Sequence, residues 1–194
     1  MSSTNQQKYE SFNPLRQMFL QPFQRNFLQT LVTLHPSNVL EVGAGEGFLL
    51  DKIHRRIPQA NILGLDINEN YVAEGHRLFP QLDLQVGNIY HIQQPDKSWD
   101  VVVASEVLEH LDRPADGLRE LARVARRNVL VSVPWEPWFR LLNFARGKHL
   151  SRWGNHPEHV NNWTRSSFIK LVSPLGQLTA VKSSFPWTIV AISM

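Results

Sequence analysis

The sequence predicts an α/β protein built on an open, mostly parallel sheet of seven strands, with helices on both faces and an antiparallel hairpin at its carboxyl end. Three observations carry this expectation. Short apolar runs of strand length alternate with stretches of helical period between about residues 39 and 133. The first of those runs stops at an acid and then at three glycines spaced by single residues, Glu41-Val42-Gly43-Ala44-Gly45-Glu46-Gly47. Two final apolar runs flank a short turn containing Pro186, which is the pattern of a hairpin. At 194 residues the chain fills one core and is too short for two ordinary domains. It divides into an N-terminal helical segment, 1–35, and a sheet domain, 36–194, interrupted by an insert at 135–163.

The first segment opens with Met1 to Gln7, which has neither a basic start nor an apolar centre, so no signal peptide is expected. From Pro14, one apolar stripe is formed by Leu15, Met18 and Phe19, and another by Phe23, Phe27 and Leu31. Pro22 parts them and predicts two short helices or one kinked helix. The stripes would pack on the sheet or form a lid over a ligand.

Val39 to Val42 reads as a buried strand, and Phe48 begins a helix with Leu49, Ile53 and Ile57 on one face. The glycines between them let the backbone bend sharply and let a ligand lie against bare main chain. A G-x-G-x-x-G fingerprint would need glycine where Phe48 stands, and no lysine follows to make a phosphate-binding P-loop. Glu41 at the strand end would repel a pyrophosphate and attract a cationic ligand. Ile62 to Ile67 is a second buried strand closing on Asp66. That acid stands about twenty residues past the loop, where Rossmann-like folds place a carboxylate for both ribose hydroxyls. Its alternative role is to cap the next helix, Asn68 to Phe79.

Leu82, Leu84 and Val86 alternate with polar residues as a half-exposed third strand, which ends in Gly87-Asn88-Ile89-Tyr90. Trp99 to Ala104 is continuously apolar, as a central parallel strand should be, and leads into Ser105-Glu106-Val107-Leu108-Glu109-His110. A helix from Pro114 to Arg126 and a fifth strand from Asn128 to Val133 follow. After the insert, Thr164 caps a helix with Phe168, Leu171 and Val172 inward, and Leu178–Lys182 and Trp187–Ile192 form the closing strands.

Zero cysteines exclude disulfides and thiolate metal sites and fit a reducing cytoplasm, the expected location. No apolar run approaches the roughly 20 residues of a membrane span. The net charge of +3, from 20 basic and 17 acidic residues, is too small to point to nucleic acid, and none is expected as a partner.

Glu41-x-Gly43-x-Gly45-x-Gly47, Asp66 and Glu106-x-x-Glu109-His110 stand in the order and spacing of the class I S-adenosylmethionine-dependent methyltransferases. The sequence resembles that family over roughly residues 36 to 134. It is similar above all to the ubiquinone-biosynthesis O-methyltransferases, which share the E-V-x-E-H signature. The resemblance implies a Rossmann-like fold, S-adenosylmethionine as cofactor, and methyl transfer to a small-molecule acceptor, most readily at oxygen. It also implies that Gly43, Ala44, Gly45 and Gly47 lie along the methionine moiety, with Glu41 facing its cationic end. Backbone at Ala104 and Ser105 would take the methionine amine, and Asp66 and Ile67 would reach the nucleoside. Where the family often has an acid for the adenine amino group, this chain has Asn88, whose carbonyl would accept instead. Ile89 or Tyr90 would pack on the adenine face, and a plain turn is the alternative.

Glu106, Glu109 and His110 admit three readings. In one helical turn, the two glutamates would share a face with His110 at its edge. Such ligands suit Mg²⁺, Mn²⁺ or Zn²⁺. Small-RNA 2′-O-methyltransferases of similar fold bind a metal through E-x-x-E-H and a distant histidine, for which His156 or His159 would serve here. Alternatively His110 is a metal-free general base, with His159 a second catalytic candidate. In the third reading the glutamates are solvated or cap a helix. The insert sets Trp135, Trp138, Phe139, Leu141, Leu142 and Phe144 beside Arg140, Arg146, Lys148 and Arg152. It would cover an apolar or lipid-linked substrate, rest peripherally on a membrane surface, or form a solvated lid. The rival functions are an RNA methyltransferase, which needs a basic groove, and a non-catalytic cofactor-fold binding protein, which needs no histidine cluster.

Overall fold

The computed structural model describes residues 14–135, 138 and 160–194, with side chains from 17 onward. Five parallel strands lie side by side: β1 (Asn38–Val42), β2 (Asn61–Asp66), β3 (Asp83–Val86), β4 (Trp99–Ser105) and β5 (Ala125–Pro134). The hairpin of β6 (Gln177–Ser184) and β7 (Trp187–Ser193) completes a seven-stranded sheet in the order β3-β2-β1-β4-β5-β7-β6. β7 pairs antiparallel with both its neighbours. The seven-stranded sheet of the sequence expectation is therefore present, antiparallel ending included. Strand order reverses between β1 and β4, and a crevice at the carboxyl ends of those strands is where ligands bind in such sheets.

Hydrophobic pattern decides the layering. β4 is buried from Trp99 to Ala104, consistent with a strand covered on both faces. On one face, Leu20, Phe23, Phe27 and Leu31 of helix α1 (Pro14–Thr33) and Leu49, Leu50 and Ile53 of α2 (Phe48–Arg56) cluster with Val39, Val101, Val103 and Leu130. Val72 of α3 (Glu69–Leu78) joins them. On the other face, Leu118 and Leu121 of α4 (Pro114–Val124) and Phe168 and Val172 of α5 (Arg165–Val172) cover Leu40, Val102, Val129 and Val190. Each such side chain contributes about 1.5–3 kcal/mol by leaving water.

The structure adjusts several expected boundaries. Pro22 lies inside one helix, which selects the single helix of the two expected arrangements. Helix α4 ends at Val124 and not at Arg126, because Ala125 already starts β5. Asp66 does not cap α3; Asn68 does, its side chain accepting from the N–H groups of Asn70 and Tyr71. No described helix is long and apolar enough to cross a membrane.

Candidate functional site

The glycine loop between β1 and α2 shows why its sequence is fixed to glycine. Gly43, Gly45 and Gly47 have φ of 79°, 56° and 86°, the left-handed region that side chains disfavour. Gly43 is also crowded, since a Cβ there would stand 2.3 Å from Cγ2 of Val107. The loop therefore presses on the motif that follows β4. Its first turn hangs from β2, because the N–H groups of Gly43 and Ala44 both donate to the Leu65 carbonyl, at 2.7 and 2.9 Å.

Asp66 fastens the rest. Its Oδ2 accepts from the Gly45 N–H at 2.7 Å and its Oδ1 from the Asn68 N–H at 2.9 Å. Each carboxylate oxygen has a second lone pair, so the geometry leaves capacity for two hydroxyls. Ile67, next in the chain, is 70% exposed and so leaves an apolar side chain open to solvent beside that carboxylate. Glu41 is buried at the end of β1, and its Oε2 has no hydrogen-bond partner. Burial, with the Asp66 charge second, pushes its carboxyl well above the usual value of 4.5. Glu46, inside the loop, is also buried with both oxygens lacking a partner. The sequence reading passed over Glu46, although an acid held between two glycines was a visible signal.

At the end of β3, Asn88 is exposed and its Oδ1 accepts from the Tyr90 N–H at 2.9 Å, a local turn. Ile89, expected on a ligand face, is instead buried in the core with Leu63 and Leu65. Tyr90 faces Arg113: its hydroxyl accepts from the Arg113 N–H at 3.2 Å, and the guanidinium lies 4.9 Å from the ring centre. Of the residues offered for a planar ligand, Ile67 is the one that presents an open apolar surface.

The motif after β4 does not form one helical turn. Glu106 adopts φ of 57°, a left-handed conformation that costs a residue with a side chain roughly 1–3 kcal/mol. Only Leu108–His110 coil, as a 3₁₀ turn. The Glu106 N–H donates to the Ser132 carbonyl at 3.0 Å, Ser105 Oγ lies 3.0 Å from Ser132 Oγ, and the indole N–H of Trp187 donates to Glu106 Oε1. Glu106 lies outside that turn, and within it Glu109 is buried while His110 is exposed. Among the described residues no three acidic or histidine side chains gather to hold a metal ion, and Glu106, Glu109 and His110 are not such a group. The Glu109 carbonyl accepts from the N–H groups of Val160 and Asn161, both at 3.0 Å, so the end of the insert is bolted to this turn. The Asn161 side chain adds a bond to the Leu111 carbonyl at 2.6 Å. His156 and His159, and the basic residues of the insert, lie outside the described residues.

An aromatic rim stands at the tip of the closing hairpin. Phe185, at the tip of the β6–β7 hairpin, meets Phe19, Trp135 and Trp138 edge-on, with ring centres 5.8, 6.2 and 6.2 Å away. Phe185 and Trp138 are 39% and 43% exposed, so this rim is open to an apolar ligand.

Comparison with known proteins agrees with the geometry. Residues 40–133 match the family described as methyltransferase domain. A protein of Mycolicibacterium smegmatis named "Probable S-adenosylmethionine-dependent methyltransferase" is 39% identical over 102 residues, covering 50% of this chain and 38% of that protein. The ubiquinone biosynthesis O-methyltransferase of Pseudomonas entomophila is 29% identical over 185 residues, covering 85% of this chain and 77% of its own. Among solved structures, magnesium protoporphyrin IX methyltransferase of Synechocystis PCC 6803 with bound SAH superposes with a TM-score of 0.73 at 17% identity. It spans 98% of this chain and 94% of that one, a likeness of fold. The chain spans only 38%, 34% and 34% of the first three curated relatives it matches.

Proposed function

We infer that this chain, whose residues 40–133 are a methyltransferase domain of the S-adenosylmethionine-dependent class, binds S-adenosylmethionine and moves its methyl group to a small molecule, most readily at oxygen. One observation carries the reading. A glycine loop held open by Asp66 lies beside a buried Glu41 whose Oε2 has no partner. A ligand with vicinal hydroxyls and cationic groups fits both. When bound, S-adenosylmethionine supplies a methyl group on a positively charged sulfur that leaves as a neutral thioether.

The chain's own residues position and desolvate. Gly43, Ala44, Gly45 and Gly47 offer bare main chain along the methionine part, and Glu41 places a carboxyl near its charge. Asp66 uses its remaining lone pairs on the ribose hydroxyls, and Ile67 lies against the base, with Asn88 at its edge. Main chain at Ser105 takes the amine. His110, exposed at the end of the 3₁₀ turn, accepts the proton that the acceptor hydroxyl must lose. Most of the gain comes from holding the acceptor oxygen in line with the carbon–sulfur bond, since the leaving group is already good. The aromatic rim around Phe185 favours an acceptor with an apolar body, and it gives the domain a surface for peripheral contact with a membrane.

The experiment is incubation of the protein with methyl-labelled S-adenosylmethionine and a small-molecule extract, followed by mass spectrometry. Label is expected in an apolar hydroxyl compound. Label found only in RNA would overturn the choice of acceptor.

A further inference from the structure

The sheet divides the candidate site into two halves. The groups suited to the cofactor come chiefly from β1 and β2, at Glu41, the glycine loop and Asp66, with main chain at Ser105 closing that half. Glu106 belongs to the other half, because it is bonded across β5 to Ser132 and to Trp187 at the start of β7. Its left-handed backbone is thus held from two sides. Trp187 is itself buried and firmly set. Its ring stacks on Phe23 of α1, with centres 4.7 Å apart and planes 27° apart, and it takes part in the core under α1. A charged oxygen paired to a buried, immobilised indole N–H keeps one orientation, where a surface glutamate would sample many.

We propose that Trp187 is a positioning residue, whose indole N–H, braced by Phe23, aims the Glu106 carboxylate at the acceptor half of the site. This rests on the methyltransferase reading. It assigns control of acceptor turnover to a residue 81 positions along the chain from the motif, on a strand that makes no other claim on function. Glu106 then works as an oriented hydrogen-bond acceptor for the incoming hydroxyl. The hydroxyl proton passes along that hydrogen bond to Glu106 and on to His110, the oxygen forms its bond to the methyl carbon, and the carbon–sulfur bond breaks. Cofactor binding is left alone.

The test compares wild type, Trp187→Phe, Glu106→Gln and the double variant. Phenylalanine keeps an aromatic ring against Phe23 and removes the N–H together with part of the indole. Three readouts are taken: S-adenosylhomocysteine affinity by calorimetry, label transfer into a small-molecule extract at saturating cofactor, and indole N–H resonances in ¹⁵N-labelled protein. The expected result for Trp187→Phe is unchanged S-adenosylhomocysteine affinity and transfer lowered about ten- to a hundredfold, the loss of one hydrogen bond to a charged group. The double variant should be no worse than the poorer single variant. The resonance that disappears in Trp187→Phe should move in Glu106→Gln. Transfer at the wild-type rate in Trp187→Phe, or losses that multiply in the double variant, would overturn the proposal. If wild type neither binds the cofactor nor transfers label, the methyltransferase reading has failed. The indole resonance still decides the coupling in that case, because a signal indifferent to Glu106→Gln sinks it.

Discussion

Gly43 and Glu41 show how closely the site depends on single atoms. Any side chain at Gly43 would meet Val107 and would also need a left-handed backbone. Gly43→Ala should therefore lower stability by about 1–3 kcal/mol and abolish cofactor binding, checked by thermal melting and calorimetry. Glu41 makes a different prediction. Its folded-state carboxyl titrates well above 4.5, through burial first and Asp66 second. Between those two values the folded state holds a proton that the unfolded chain has lost, so stability falls as pH rises through that window. Glu41→Gln removes the effect. The variant should gain in melting temperature on wild type as pH rises above 4.5, while losing affinity for S-adenosylmethionine. A difference in melting temperature that does not change with pH would contradict this. Both residues could be picked from the sequence, since glycine spacing and an acid at a strand end are local signals. The Val107 contact could not, because it joins two loops that only the sheet brings together.

The strands and helices were legible from period and length, but the devices that lock them were less so. At the foot of β4, opposite the site, Asp100 accepts from the Ser37 N–H at 2.9 Å and from Arg126 Nε at 2.9 Å. Burial alone would push its carboxyl up, but the hydrogen bonds from Arg126 and Ser37 outweigh it and hold it below 3.8. The unfolded chain therefore binds the proton first, and this stabilisation is present above 3.8 and lost as pH falls through the lowered value. Asp100→Asn should destabilise at neutral pH by roughly 1–3 kcal/mol, and its melting temperature should approach that of wild type as acid is added. The cap of α3 illustrates a local ambiguity. Asp66 and Asn68 both had the chemistry to cap, and the strand keeps Asp66 for the loop while Asn68 takes the helix. Ile89 illustrates another. Nothing in Gly87-Asn88-Ile89-Tyr90 says which side chain turns inward, and the Asn88 turn settles it by folding Ile89 under the sheet edge.

Taken whole, the molecule is a mostly parallel sheet closed by an antiparallel hairpin, and the candidate groups that the structure describes stand along the carboxyl ends of its parallel strands. The order β3-β2-β1-β4-β5-β7-β6 comes from the structure, whereas the mostly parallel, seven-stranded architecture was readable in advance from the alternation of elements and the closing hairpin. The pairing of Trp187 with Glu106 was not, because it spans 81 residues and depends on β7 entering the sheet beside β5. Nor was the left-handed turn at Glu106, which leaves that residue outside the helical turn that E-x-x-E-H spacing suggested. The central claim is that this rim is built for a cationic nucleoside and not for a dinucleotide. Calorimetric titration tests it most directly, with S-adenosylmethionine and NAD offered in turn to wild type and to Asp66→Ala. The account predicts binding of S-adenosylmethionine alone, weakened by roughly 1.5–3 kcal/mol in Asp66→Ala. Binding of NAD, or an S-adenosylmethionine affinity indifferent to Asp66→Ala, would contradict it.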